Sequence, residues 1–152
     1  MFRYVLSFCL TYFSLGAGIT SCYSQQLPNI GDEWKDDINY DKKIIIPPPY
    51  DMIPSVDLKI KDVLFHIGLL GNTVVFISTY DSSFVVGKKQ YLNKPFSMFK
   101  YCGSFNGVRG WLYYLPIEDG WFLGFPANKP IEDTTKSICV FKYKYINKNN
   151  LR

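Results

Sequence analysis

Apolar runs in the second half of the chain predict β-strands. Residues 73–79, TVVFIST, are almost all β-branched or aromatic and lie between a Gly-Asn and a Tyr-Asp pair, as is typical of a buried strand. Residues 111–117 and 121–125 are apolar on both faces and flank the turn signal Asp119-Gly120, which predicts a hairpin. The last predicted strand, residues 139–145, alternates between Cys, Phe and Tyr on one face and lysines on the other.

Two other segments carry helix signals. Asp62 is a candidate N-cap for an apolar run at about helical spacing that ends at Gly71-Asn72, although a strand is the alternative for the same residues. Asn93 is a candidate N-cap for a second short helix, with Pro95 in its first turn and Gly103 at its end. We therefore predict an α+β fold, a small antiparallel sheet with one or two short helices; the alternative is an all-β sandwich or barrel.

The chain begins with the layout of a signal peptide. Residues 1–21 contain a basic residue, Arg3, an apolar run from Tyr4 to Leu15 and then small residues. The apolar run is shorter than the roughly 20 residues that a membrane-spanning helix needs. We expect this segment to direct export and to be removed.

The residues Ile19-Thr20-Ser21-Cys22 combine a branched apolar residue, two small residues and a cysteine. This pattern resembles the lipobox of bacterial lipoproteins. The resemblance implies that Cys22 receives a diacylglycerol and becomes the first residue after cleavage. Two or three acyl chains, at roughly 0.8 kcal/mol per buried methylene, hold a small domain at a membrane stably. The alternative is an ordinary secreted protein that is cut near Gly18 or Ser21.

Composition divides the mature chain into a tether, a domain and a tail. Residues 22–54 are rich in polar residues and contain Pro47-Pro48-Pro49, which favours an extended polyproline conformation. We predict one globular domain at residues 55–147 and a frayed tail at 148–152. No acidic cluster that would indicate surface export follows Cys22. The expected location is therefore the outer membrane, facing the periplasm.

The repeated order of a short apolar helix before a strand, in residues 58–79 and 86–114, resembles small envelope lipoproteins of the outer-membrane assembly-factor kind. This resemblance rests on the pattern, without a shared motif. It implies helices packed against a short antiparallel sheet. Function does not follow from such a likeness.

Four cysteines are present, of which Cys9 leaves with the signal and Cys22 takes the lipid. Cys102 and Cys139 remain as a pair in an oxidising compartment, so we predict that they form a disulfide. Such a bond would stabilise the domain by roughly 3–4 kcal/mol. Two buried thiols are the alternative.

Charge gives no indication of a nucleic-acid partner. The chain has 17 basic and 13 acidic residues, and Arg3 leaves with the signal, so the mature balance is about +3. These charges are interspersed, whereas nucleic-acid binding needs a concentrated basic face. We expect no nucleic acid among the partners.

The usual catalytic and metal-binding motifs are absent from the sequence. The one histidine, His66, lies among apolar residues, and no nucleophile signature surrounds Cys102 or any serine that could join it with an acid such as Asp81. No cluster has the ligand spacing of a metal site. Glu118-Asp119 and Glu132-Asp133 are explained by a turn and a loop. The sequence predicts a non-enzyme that uses neither metal nor cofactor.

The remaining candidate site is aromatic. Aromatic residues make up 18% of the chain, and Trp and Tyr dominate protein interfaces. The candidate partner-binding residues are Trp111, Tyr113, Tyr114, Trp121 and Phe122. We hypothesise a non-catalytic lipoprotein that binds a protein partner, in its concrete form an immunity protein that neutralises an antibacterial toxin. The alternatives are a structural or assembly lipoprotein of the outer membrane and a glycan-binding module.

Overall fold

The computed structural model describes residues 26–39, 41–45, 52–100, 106–107 and 111–144. These residues form strands β1 (Lys43–Ile45), β2 (Met52–Ile60), β3 (Val63–Leu70), β4 (Thr73–Thr79), β5 (Val85–Val86), β6 (Lys89–Gln90), β7 (Asn106–Gly107), β8 (Leu112–Pro116), β9 (Phe122–Pro126) and β10 (Cys139–Tyr143). Two 3-10 helices of three residues each lie at Phe96–Met98 and Glu118–Gly120. In this part of the chain, no helix has the length and apolar character needed to span a bilayer.

Eight of the strands form one curled antiparallel sheet in the order β1-β2-β3-β4-β10-β9-β8-β7. Strands β5 and β6 pair separately. The strand predicted at residues 73–79 is β4, and the predicted hairpin is the β8–β9 pair. The last strand of the described residues, β10, inserts between β4 and β9. This strand thereby joins the two halves of the sheet.

The first predicted helix is wrong, because its residues form β3. The proposed N-cap Asp62 lies in a two-residue turn with Lys61, and both have positive φ angles, 70° and 47°. Two-residue hairpins favour this backbone because its twist matches that of the flanking strands. The proposed helix end at Gly71-Asn72 is the next two-residue turn, between β3 and β4. As a strand, β3 directs successive side chains to opposite faces of the sheet. Only those on one face are buried in the core.

The second predicted helix is reduced to the 3-10 turn Phe96–Met98. Asn93 has a positive φ of 61°, so it does not continue into a helix. Residues 101–103 lie outside the described residues. The α+β class is therefore wrong, because the described chain is nearly all β, and the helices implied by the likeness to assembly-factor lipoproteins are not observed in it.

One face of the sheet, called here the packed face, carries the main core. Two segments outside the sheet, residues 27–38 and 84–99, supply apolar residues that pack against it. Alternation directs every second side chain of β3, β8, β9 and β10 into this core. The central buried residues are Phe65, Ile67, Leu69, Ile77, Leu115, Leu123, Phe125 and Val140.

The segment before β1 is bonded to the sheet by its backbone. Gly31 N donates to Val74 O at 2.8 Å, and Val74 N donates to Asp32 O at 2.9 Å. Leu27 and Trp34 pack against the main core. The domain boundary predicted at residue 55 thus falls inside β2, and part of the predicted tether packs against the domain. The triple proline lies outside the described residues.

Candidate functional site

The opposite face of the sheet, called here the aromatic face, carries a cluster of rings around Phe141 on β10. The Phe141 side chain is completely buried, at 0% exposure. Five aromatic rings have centroids between 5.2 and 6.1 Å from its own. They are Phe76, Trp111, Tyr114, Phe122 and Tyr143, and with Phe141 they form the aromatic cluster.

Strand pairing explains why these rings meet. Phe141 lies directly opposite Phe122 on β9, and Tyr143 lies directly opposite Phe76 on β4. Directly opposed side chains on one face of an antiparallel pair have Cβ atoms only about 5 Å apart. The rings of Phe122 and Phe141 stack at 5.5 Å with 21° between their planes. Each such aromatic pair contributes about 0.5–1.5 kcal/mol beyond the area that it buries.

The cluster has a buried centre and a partly exposed rim. Phe76, Tyr114 and Phe141 are buried, whereas Trp111, Phe122 and Tyr143 remain partly exposed. Among the described residues, every apolar side chain of this cluster and its surroundings belongs to a strand of the sheet or, in the case of Trp111, directly precedes one. Three rings are therefore presented to solvent on a rigid aromatic base.

The structure divides the five aromatic residues that the sequence singled out. Trp111, Tyr114 and Phe122 are in the aromatic cluster. Trp121 is only 5% exposed, belongs to the main core and has its ring centroid 5.1 Å from that of Phe84. Tyr113 is half-buried and packs against the same core.

Phe76, Phe141 and Tyr143 were not among the predicted site residues. The alternation of Cys139, Phe141 and Tyr143 predicted from the sequence is confirmed, since all three lie on the aromatic face. That pattern does not reveal that β10 pairs with β9. This non-local pairing is what brings Phe141 beside Phe122.

A polar group flanks the cluster on the same face. Asp57 on β2 accepts hydrogen bonds from Lys42 Nζ at 2.7 Å, and its other oxygen lies 2.9 Å from His66 Nδ1 on β3. The hydrogen bond from Lys42 is the largest influence on the pKa of Asp57 and lowers it below its usual value of 3.8, assisted by His66 and opposed by partial burial. His66 also packs edge-on against Tyr80, with ring centroids 5.8 Å apart.

Asp57, His66 and Ser78 lie opposite one another in a row across β2, β3 and β4. This order of residue types is that of a serine-hydrolase triad. Ser78 Oγ is buried, however, and has no hydrogen-bond partner in the part of the chain that the structure describes. Ser78 Oγ therefore lacks the hydrogen bond to its base that a triad nucleophile makes.

Replacing Asp57 with asparagine should remove the pH dependence of the stability that this polar group contributes. Because the folded state lowers the pKa of Asp57, its contribution is present above about pH 3.8 and is lost as the pH falls through the folded pKa. About a third of the Asp57 side chain is exposed, so solvent screening weakens its interactions. The substitution should therefore lower the free energy of unfolding at pH 7 by at most about 1 kcal/mol. Urea unfolding should show that the free energies of unfolding of the wild type and the variant differ at pH 7 and differ less at pH 3. A constant difference would contradict this assignment.

Cys139 is buried on the aromatic face and is not bonded to another cysteine within the described residues. Burial raises the pKa of this thiol to about 12, so the reactive thiolate is scarce at neutral pH. Cys102 lies outside the described residues, and the disulfide between the two stays a prediction. Thiol labelling of the unfolded, unreduced protein distinguishes a bonded pair from two free thiols.

No group of three or more His, Cys, Asp or Glu side chains in the described residues is arranged to hold a metal ion. Cys22, the predicted lipid attachment site, is also outside them.

Comparison with protein-family models, curated proteins and solved structures finds no match.

Proposed function

We propose that this protein is a non-catalytic, lipid-anchored protein of the cell envelope that binds a protein partner through its aromatic face. The observation that carries the proposal is the partly exposed rim of Trp111, Phe122 and Tyr143 around the buried Phe141. Trp and Tyr are enriched among the interface residues that supply most binding energy, and they are most effective in well-packed surroundings.

Rigidity strengthens the case for this surface. The rim residues Phe122 and Tyr143 are on strands, and each contacts at least two other rings of the cluster. A preorganised side chain loses little conformational entropy on binding, so more of its contact energy becomes affinity. The neighbouring Lys42, Asp57 and His66 supply polar groups at the edge of the patch, as protein interfaces commonly have.

The concrete form of the proposal is an immunity protein that neutralises an antibacterial toxin where the toxin arrives. Its support is the combination of a predicted signal peptide, a predicted lipid anchor at Cys22 and an aromatic surface. The weak and interspersed charge favours a protein over a nucleic acid as partner. The anchor would place the aromatic face at the periplasmic side of the outer membrane.

Capture from the native host tests the proposed binding. The tagged full chain is recovered from envelope and secreted fractions, and bound proteins are identified by mass spectrometry. We expect one stoichiometric partner, which the variant Trp111→Ala/Phe122→Ala no longer binds. Met98→Ala is the matched control, because Met98 is 62% exposed but lies outside the aromatic cluster.

The outcomes of this capture separate the alternatives. A single toxin-like partner lost only in the double variant supports neutralisation, whereas enrichment of outer-membrane assembly components supports the assembly role. Binding of cell-wall polysaccharide without a protein supports the glycan-binding alternative. Equal capture by the double variant and the wild type would exclude the aromatic face as the binding surface.

The anchor has its own test. In the full chain, Cys22→Ala removes the sulfur atom that would receive the diacylglycerol. We expect the variant to move from the membrane fraction to the soluble fraction of the envelope. Retention in the membrane fraction would contradict lipid attachment at Cys22.

A further inference from the structure

A pocket of about 440 Å³ lies at one end of the packed face. Residues 27–30 form one wall, and the turn at residues 119–121 forms another. Lys142 and Tyr143 of β10 complete the lining, with Ile77 and Phe84 among the apolar residues inside it. The volume falls within the roughly 300–1,000 Å³ that is usual for small-molecule sites.

Lys142 gives the pocket its chemistry. It lies directly opposite the buried Ile77 across the β4–β10 pair, at a position where the packed face is otherwise apolar. Its ammonium group is 5.0 Å from the centroid of the Trp121 ring, which holds it by a cation–π interaction. Among the described residues no carboxylate lies within 4 Å of Lys142 Nζ. Lys142 is half-buried, and an ammonium group with three donors and no anionic partner is suited to receive one.

Asp119 restricts which anion fits. Asp119 lines the same pocket from the exposed turn but makes no ion pair with Lys142. Lys142 is the one cation among the described residues of the lining, so it balances a single negative charge, whereas the second charge of a phosphate dianion would lie unpaired beside Asp119. The lining therefore favours a singly charged carboxylate over a phosphate.

We propose that this pocket binds a small organic carboxylate with an apolar body. The carboxylate accepts charge-assisted hydrogen bonds from Lys142 Nζ, and the apolar body covers Ile77, Phe84 and Leu27. This proposal does not rest on the proposed protein partner, because the pocket shares only Tyr143 with the rim, and neither Trp111 nor Phe122 is in its lining.

The test uses three probes, each with one phenyl ring joined to a charged group by a linker of at most two carbons. The probes differ in the charge of that group. The purified full chain, labelled with ¹⁵N, is titrated with 3-phenylpropanoate, phenyl phosphate and 2-phenylethylamine while the amide signal of Gly120 and the indole N–H signal of Trp121 are followed by NMR. We expect 3-phenylpropanoate to bind with a dissociation constant on the order of millimolar. We expect phenyl phosphate to bind more weakly and the amine to leave both signals unchanged.

Variants assign the binding to Lys142. Lys142→Met should weaken 3-phenylpropanoate binding by at least about tenfold, because a hydrogen bond to a charged group is lost. The matched control is Lys144→Met, which removes the same charge two residues further along the chain and outside the pocket. Asp119→Asn should strengthen phenyl phosphate binding.

Two results would overturn the proposal. One is that 3-phenylpropanoate does not bind even at about 20 times the expected dissociation constant, a concentration on the order of tens of millimolar. The other is equal binding of 3-phenylpropanoate and 2-phenylethylamine to the wild-type protein, which needs no variant and holds even if Lys142→Met fails to fold.

Discussion

Replacing Phe141 with alanine should lower the free energy of unfolding by about 3–5 kcal/mol, the usual range for a buried phenylalanine. The side chain is fully buried, and four of the five rings around it are on strands of the sheet, so they cannot close the resulting cavity easily. Urea unfolding monitored by circular dichroism measures the change.

Tyr143→Ala is the matched control for this substitution. Tyr143 is on the same strand and the same face, but it is partly exposed and lies at the rim of the aromatic cluster. We expect a clearly smaller loss for Tyr143→Ala than for Phe141→Ala. Equal losses would mean that Phe141 is not the centre of the cluster.

Replacing Gly124 with alanine should cost about 1–3 kcal/mol, because the added methyl group overfills a packed position. A Cβ atom at Gly124 would lie 2.6 Å from Cys139 Sγ and 3.0 Å from Leu112 Cδ1. Gly124 of β9 is directly opposite Cys139 of β10, and both belong to paired strands that cannot separate locally. The same unfolding measurement applies.

A second substitution tests the cause of this loss. Cys139→Ala removes the sulfur that the new methyl group would meet, so Gly124→Ala should cost less in a Cys139→Ala chain than in the wild type. Reducing conditions keep any disulfide to Cys102 from contributing. Strictly additive losses would show that the sulfur is not the obstacle.

The strands that the sequence predicted correctly have local signals. Residues 73–79 contain almost only β-formers, and Asp119-Gly120 occurs between two apolar runs. Both signals depend on neighbours in sequence, because a strand period and a turn each need only a few residues. The structure confirms β4 and the β8–β9 pair for this reason.

The helix predicted from Asp62 illustrates where local signals fail. The run from Val63 to Leu70 is apolar at most positions, so it satisfies a helical period and an alternating one together. The deciding feature is the turn at Lys61-Asp62, whose lysine has a positive φ that lysine rarely adopts. Tertiary pairing with β2 and β4 imposes this turn, and the sequence carries no glycine or asparagine there to indicate it.

The sequence identified only part of the candidate site, again because its local signals fit more than one arrangement. Alternation correctly places Tyr114 and Phe122 on one face of the hairpin and Tyr113 and Trp121 on the other. Both faces, however, are apolar. Sequence alone does not say which face receives the main core. Trp111 departs from the alternation because it lies in a bend before β8 and joins the aromatic face.

The central claim is that the rim of the aromatic cluster binds a protein partner, and the most direct test is the affinity of the captured partner. Calorimetric titration compares the wild type, Trp111→Ala/Phe122→Ala and the Met98→Ala control, after unfolding curves have shown that each variant is folded. We predict that the double variant loses at least about 2 kcal/mol of binding free energy, or roughly 30-fold in Kd, whereas the control is unchanged. An unchanged Kd in the folded double variant would contradict the claim.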